Sequence, residues 1–157
     1  MKRSETSGAA AETVAVVSVS ATLDAAPDRA YAIIADYGRG HPAILPRPPF
    51  VSLAVEEGGI GEGTVIRVEM KVLGRVQSYR AQVTEPEPGR RLVETNDTGY
   101  VTTFVVDPTG DGRSMVTIAT RSTRRGILPA LERQLVARLL RPVYRRELEL
   151  LARQAGG

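Results

Sequence analysis

The chain has 157 residues, of which 42% are hydrophobic and 25% charged, with a net charge of +3. That length fits one domain able to bury roughly 70% of the surface its unfolded form exposes. The absence of cysteine excludes disulfides, thiol nucleophiles and thiolate metal sites, and a single histidine excludes a multi-histidine zinc centre, so neither a metal nor another cofactor is expected.

Residues 1–12 are small and polar and read as a disordered leader to a domain spanning 13–155. The opening has a basic start and an apolar middle like a signal peptide, but Glu12 interrupts it and the valines that follow alternate with small residues. No run reaches the ~18 apolar residues of a membrane span. A cytoplasmic protein is expected.

In TVAVVSVSATL, residues Ala15, Val17, Val19, Ala21 and Leu23 share one face and Ser18, Ser20 and Thr22 the other, which predicts a half-buried strand. Pro27 and Asp28 then start a helix running to Gly38, with Tyr31, Ile34 and Tyr37 on its apolar face. HPAILP supplies a second, shorter helix before Pro46, Pro48 and Pro49 force an extended path.

Six strands follow, separated by turn chemistry: FVSLAVEE, TVIRVEMKV, RVQSYRAQVTE, RRLVETND, YVTTFVVD and RSMVTIATRST. The alternation is clearest in the second of these, with Ile66, Val68, Met70 and Val72 opposed to Arg67, Glu69 and Lys71. Short connections imply an antiparallel meander. From Ile127 to Gln154 the period returns to 3.6: Leu128, Leu131, Leu135, Leu139, Val143 and Leu150 form one face, with Pro142 placed to kink the helix. The expectation is an α+β fold in which a seven-stranded antiparallel sheet wraps around a long C-terminal helix, with two short helices after strand one closing a gap between them.

This order resembles the START/Bet v 1-like helix-grip superfamily, in particular its polyketide cyclase/dehydrase-like branch. The resemblance rests on ATLDAAPDRAYAIIADYG at the end of the first strand, on GEGTVIRV, and on FVVDPTGDGRSMVTI, and it spans Thr13 to Gln154. It implies an internal cavity for a hydrophobic guest. None of these signposts is catalytic, and the same scaffold carries lipids, closes polyketide rings and serves as an interaction module. The superfamily commonly has a tryptophan near a proline in the second small helix, where this chain has His41.

The candidate cavity residues are therefore His41, Met70, Tyr79, Glu94, Tyr100, Phe104, Leu135, Leu139 and Val143. His41 reads either as a polar group at the cavity mouth or as a solvent-facing loop histidine. Tyr79 and Tyr100 offer ring surface with one polar handle, or plain core packing. Glu94 shares a face with Leu92, and alternation alone leaves open whether that face points inward; buried, it would be a base of raised pKa.

Other motifs carry no chemistry. GGIGEG leads into a strand rather than a helix, unlike a dinucleotide loop, and no serine lies in a G-x-S-x-G elbow. All basic residues except Lys2 and Lys71 are arginine, but no aromatic platforms lie between them, so nucleic acid is not an expected partner. RSTRRG and RPVYRRE read as a solvated helix face whose arginines are relieved by Glu132, Glu147 and Glu149, or as a contact for an anionic membrane or acidic partner. Binding of a lipid, quinone or polyketide-like molecule is the leading expectation. A cyclase, aromatase or dehydratase that moves protons with cavity groups is the alternative, and a cochaperone- or toxin-like interaction module a further one. The oligomeric state is left open.

Overall fold

The computed structural model describes residues 14–124 and 127–156; the proposed leader lies outside them. The strands are β1 (Val14–Leu23), β2 (Phe50–Glu57), β3 (Val65–Val72), β4 (Arg75–Glu87), β5 (Arg91–Asn96), β6 (Tyr100–Pro108) and β7 (Ser114–Ser122). The helices are α1 (Pro27–Ala35), α2 (Gly40–Ile44) and α3 (Ile127–Gly156). All strand pairs are antiparallel, in the order β1-β7-β6-β5-β4-β3-β2. The first strand thus closes on the last, and β1 and β2 form the edges.

Period-two alternation decides which way each strand faces. On β3, Ile66 and Val68 are buried while Arg67 is exposed, and on β4, Ala81 and Val83 are buried between exposed neighbours. Leu92, Phe104, Val106, Val116 and Ile118 continue this face across β5, β6 and β7. The covering layer is α3, whose backbone lies closest to β1 and β7 and to α1 and α2. Strands β2 to β6 do not approach α3 as closely, and the cavity described below lies between them and the helix.

α1 starts on Pro27 and buries Ala30, Tyr31, Ile34 and Ala35. It ends at Ala35, earlier than the Gly38 expected from the sequence. The cause is local pairing: the Tyr37 amide donates to the Gly59 carbonyl at 2.8 Å and the Gly61 amide to the Ala35 carbonyl at 2.9 Å, which pulls the chain into an extended bridge between Asp36 and Ile60. Asp36 then accepts from the amides of Gly38 and Arg39 at 3.1 and 3.2 Å and turns the chain into α2. Gly40 is required there, since a β-carbon would stand 2.5 Å from the Ile33 carbonyl oxygen.

α3 continues through Pro142, and its inward face differs from the one the spacing of leucines suggests. Tyr144, Glu147, Leu148, Leu151 and Ala155 are buried, whereas Leu131 and Leu135 are 60% and 43% exposed. Leu139 is half-buried, and Val143 and Leu140 pack at the margin of the core. The true seam steps through Leu140, Tyr144, Glu147 and Leu151, which is also a spacing of threes and fours.

Candidate functional site

Between α3, α2 and strands β2 to β6 lies a cavity of about 40 Å³. One side is apolar: Leu45, Phe50 and Leu53 leading into and along β2, and Ile66 and Val68 on β3. The other side is polar and aromatic: His41 from α2, Tyr79 from β4, Glu94 from β5, Thr102 and Phe104 from β6, and Tyr144 and Glu147 from α3. A space of this size holds only a few waters.

Glu94 is carried inward because it shares its strand face with fully buried Leu92. Its carboxylate accepts the Tyr37 hydroxyl at 2.6 Å and lies 3.6 Å from His41 Nε2. Burial, and then the charge of Glu94, push the Tyr37 phenol well above its usual pKa.

His41 is 2% exposed, so it is not a solvent-facing loop residue. Its Nδ1 lies 2.7 Å from the Ile34 carbonyl oxygen. A carbonyl only accepts, so Nδ1 carries a hydrogen and Nε2 is the atom turned to Glu94. The ring stacks on Tyr37 at 4.5 Å between centroids and meets Phe104 edge-on at 5.4 Å, which fixes its plane.

Glu147 is the most unusual group in the described residues. It is 2% exposed, lines the cavity, and makes no hydrogen bond or ion pair there. Desolvation, and then the charge of Glu94, push its carboxyl well above the ordinary value of 4.5 and so favour the neutral acid. The expectation that Glu147 relieves the arginines on the outer face of α3 is therefore corrected: it stands one turn beyond Tyr144 on the buried seam. Its neighbours Arg145 and Arg146 are exposed, and Arg146 pairs instead with Glu149 at 2.8 Å.

Two more phenols frame the site. Burial pushes Tyr79 well up, with Glu94 the next cause, and burial does the same to Tyr144. The Tyr144 hydroxyl is bound to Thr120 Oγ1 at 2.5 Å, and Thr120 to Thr102 at 2.8 Å, so this chain of hydroxyls is satisfied within itself.

Of the residues proposed from sequence, the structure brings His41, Tyr79, Glu94 and Phe104 together around the cavity. Met70 is half-buried against the core but outside the lining, and Tyr100 sits at the start of β6, where burial and then Glu132 raise its phenol. Leu135, Leu139 and Val143 are not part of the lining, which α3 supplies from the neighbouring stripe of Tyr144 and Glu147. Thr102, Tyr144 and Glu147 were missed, as were the apolar lining residues Leu45, Phe50, Leu53, Ile66 and Val68. A glutamate interrupting an otherwise apolar 3–4 spacing was the available signal for Glu147. No group of three metal-ligating side chains occurs among the described residues, and no described helix is long and apolar enough to cross a membrane.

The profile of the family described as polyketide cyclase/dehydrase and lipid transport matches residues 14–156, and the chain belongs to that family. Its architecture is a helix grip, a seven-stranded antiparallel sheet with a long C-terminal helix, and the function class the family supports is hydrophobic-ligand binding or polyketide-cyclase chemistry. Among solved structures it is similar to the KanY protein (ms6282), at 27% identity and a TM-score of 0.78, covering 92% of this chain and 99% of that one. The Zhui aromatase/cyclase from Streptomyces sp. R1128 is 17% identical with a TM-score of 0.69, over 89% of this chain and 92% of that one. A START superfamily protein from Mycobacterium smegmatis is 13% identical with a TM-score of 0.65, over 89% and 96%. The latter two likenesses speak to fold alone. No curated protein matches the sequence at a significant level.

Proposed function

We propose that the protein binds a hydrophobic small molecule of lipid, quinone or polyketide type. Its polar end would lie against Glu94, Glu147 and His41, and its apolar part along Leu45, Phe50, Leu53, Ile66 and Val68. The observation that carries this reading is Glu147, a buried carboxyl facing the cavity with no hydrogen-bond partner among the described residues. A guest with a matching polar end pairs with this carboxyl in place of water. The guest is larger than the present space, so it enters by displacing side chains. Half-exposed Leu53 on the edge strand and the thinly packed first half of α3 are the places where least is lost.

A second reading, proton transfer on the bound molecule, is favoured by the convergence of Glu147, Glu94 and His41 on one space. A neutral acid and a histidine–carboxylate pair are the parts a cyclase or dehydratase step needs. Native mass spectrometry of the purified protein tests the binding reading: a co-purified or added apolar molecule retained in the gas phase supports it, and failure of every lipid, quinone and polyketide-like probe to bind rejects it. For the second reading, Glu147→Gln keeps the shape and removes the acid. Turnover of a bound polyketide-like probe that survives this change would rule that role out.

Cytoplasmic residence and delivery at an anionic membrane through Arg121, Arg141 and Arg145, all exposed, belong to the same proposal. Sedimentation with vesicles that does not increase with phosphatidylserine content would count against the membrane contact.

A further inference from the structure

The polar half of the cavity is unbalanced in charge. Two glutamates and one histidine line it, and no lysine or arginine does, in a chain whose basic residues outnumber its acidic ones. The titratable groups that face Glu147 are Glu94 on β5, His41 on α2, Tyr79 on β4, and its own neighbour Tyr144 on α3, with Tyr37 behind Glu94. The hydroxyls of Tyr144 and Thr102 are already engaged through Thr120. What the site lacks is a cationic side chain beside its two acids.

We propose that the guest carries a protonated amine, which seats among Glu94, Glu147 and the aromatic rings of His41, Phe104, Tyr79 and Tyr144. This rests on the cavity reading above and narrows it to a substrate class: apolar molecules with a cationic nitrogen head. An ammonium group is about the size of a water, so the head fits a 40 Å³ space that the rest of the molecule does not. Its N–H groups offer donors to the Glu147 carboxyl, and its charge is attracted by aromatic faces. The cation also provides the counter-charge that lets Glu147 release its proton to solvent as the guest binds. A carboxylate or phosphate head meets two acids and no cation and is refused.

The test uses three probes with one ring system and different heads: 1-naphthylmethylamine, 1-naphthalenemethanol and 1-naphthaleneacetic acid, titrated calorimetrically into the full chain at pH 7. The amine is expected to bind at least ten-fold more tightly than the alcohol, with the acid weakest. Glu147→Gln is expected to bring the affinities of the amine and the alcohol together, so that the ratio between the two heads falls toward one. Should that variant fold poorly by circular dichroism, Glu94→Gln replaces it, with loss of the amine preference again expected. An alcohol or acid that binds as tightly as the amine, or a preference that persists in the folded variant, overturns the head-group inference and leaves the cavity reading standing. No binding by any of the three overturns the inference and counts against the cavity reading as well.

Discussion

Before Pro142, α3 shows Leu131 and Leu135 to solvent; after it, the same helix buries Tyr144, Glu147, Leu148, Leu151 and Ala155 against the sheet and the small helices. One helix therefore has a half that anchors the fold and a half that rests on it. The anchored half also carries both α3 residues of the cavity, so the site is held by the buried half of the helix, whereas the first half has less to lose on moving. A proline at the division removes one main-chain hydrogen bond, which lowers the cost of moving one half relative to the other.

The sharpest way to break the comparison is Leu151→Ala, which removes a fully buried side chain from the anchored half. It is expected to destabilise the fold by about 2–5 kcal/mol in urea unfolding. A loss under ~1 kcal/mol would mean that this half is not the anchor. Next, Pro142→Ala restores the missing donor at an exposed position and is expected to stabilise by up to ~3 kcal/mol. Slower exchange of guests should accompany it, and unchanged stability and exchange would remove the division at Pro142.

Glu147 gives a pH signature. Its folded carboxyl is raised above the ordinary 4.5 of the unfolded chain, so its contribution is fully present below that value and is lost as pH rises toward the folded value. Stability should therefore fall with rising pH from that point upward, by at most ~1.4 kcal/mol per pH unit. Glu147→Gln should flatten the slope, and urea midpoints of the two proteins measured from pH 5 to pH 8 are the check. The smallest effects belong to the outer half: Leu131→Ala and Leu135→Ala should each change stability by less than ~0.5 kcal/mol. A larger loss for either would show that the exposed leucines are engaged.

The strands were legible because a half-buried sheet writes its pleat into the sequence. TVIRVEMKV became β3 with Ile66 and Val68 inward, and the turn residues marked its ends. The seam of α3 was not legible, because the helix carries two overlapping stripes at spacings of three and four. The stripe first read as the seam exposes Leu131 and Leu135 and only half-buries Leu139 and Val143, and the fully buried one contains a glutamate that hydropathy counts as polar. Glu94 was ambiguous for a related reason, since a strand has two faces and only the burial of Leu92 in three dimensions selects between them. The partner of His41 could not be found at helical spacing because Glu94 arrives from a distant strand.

The bond from His41 Nδ1 to the Ile34 carbonyl has a consequence for experiment. Ile34 lies in the last turn of α1, where main-chain oxygens have no intrahelical donor, so the imidazole fastens one helix end to the next while its far nitrogen looks into the cavity. Truncating this residue to alanine would loosen a corner of the scaffold and change the chemistry together, and the two losses would be indistinguishable. His41→Asn retains a donor near the Nδ1 position and discards Nε2. A variant that melts like the parent but handles its cargo differently would separate the rivet from the reagent.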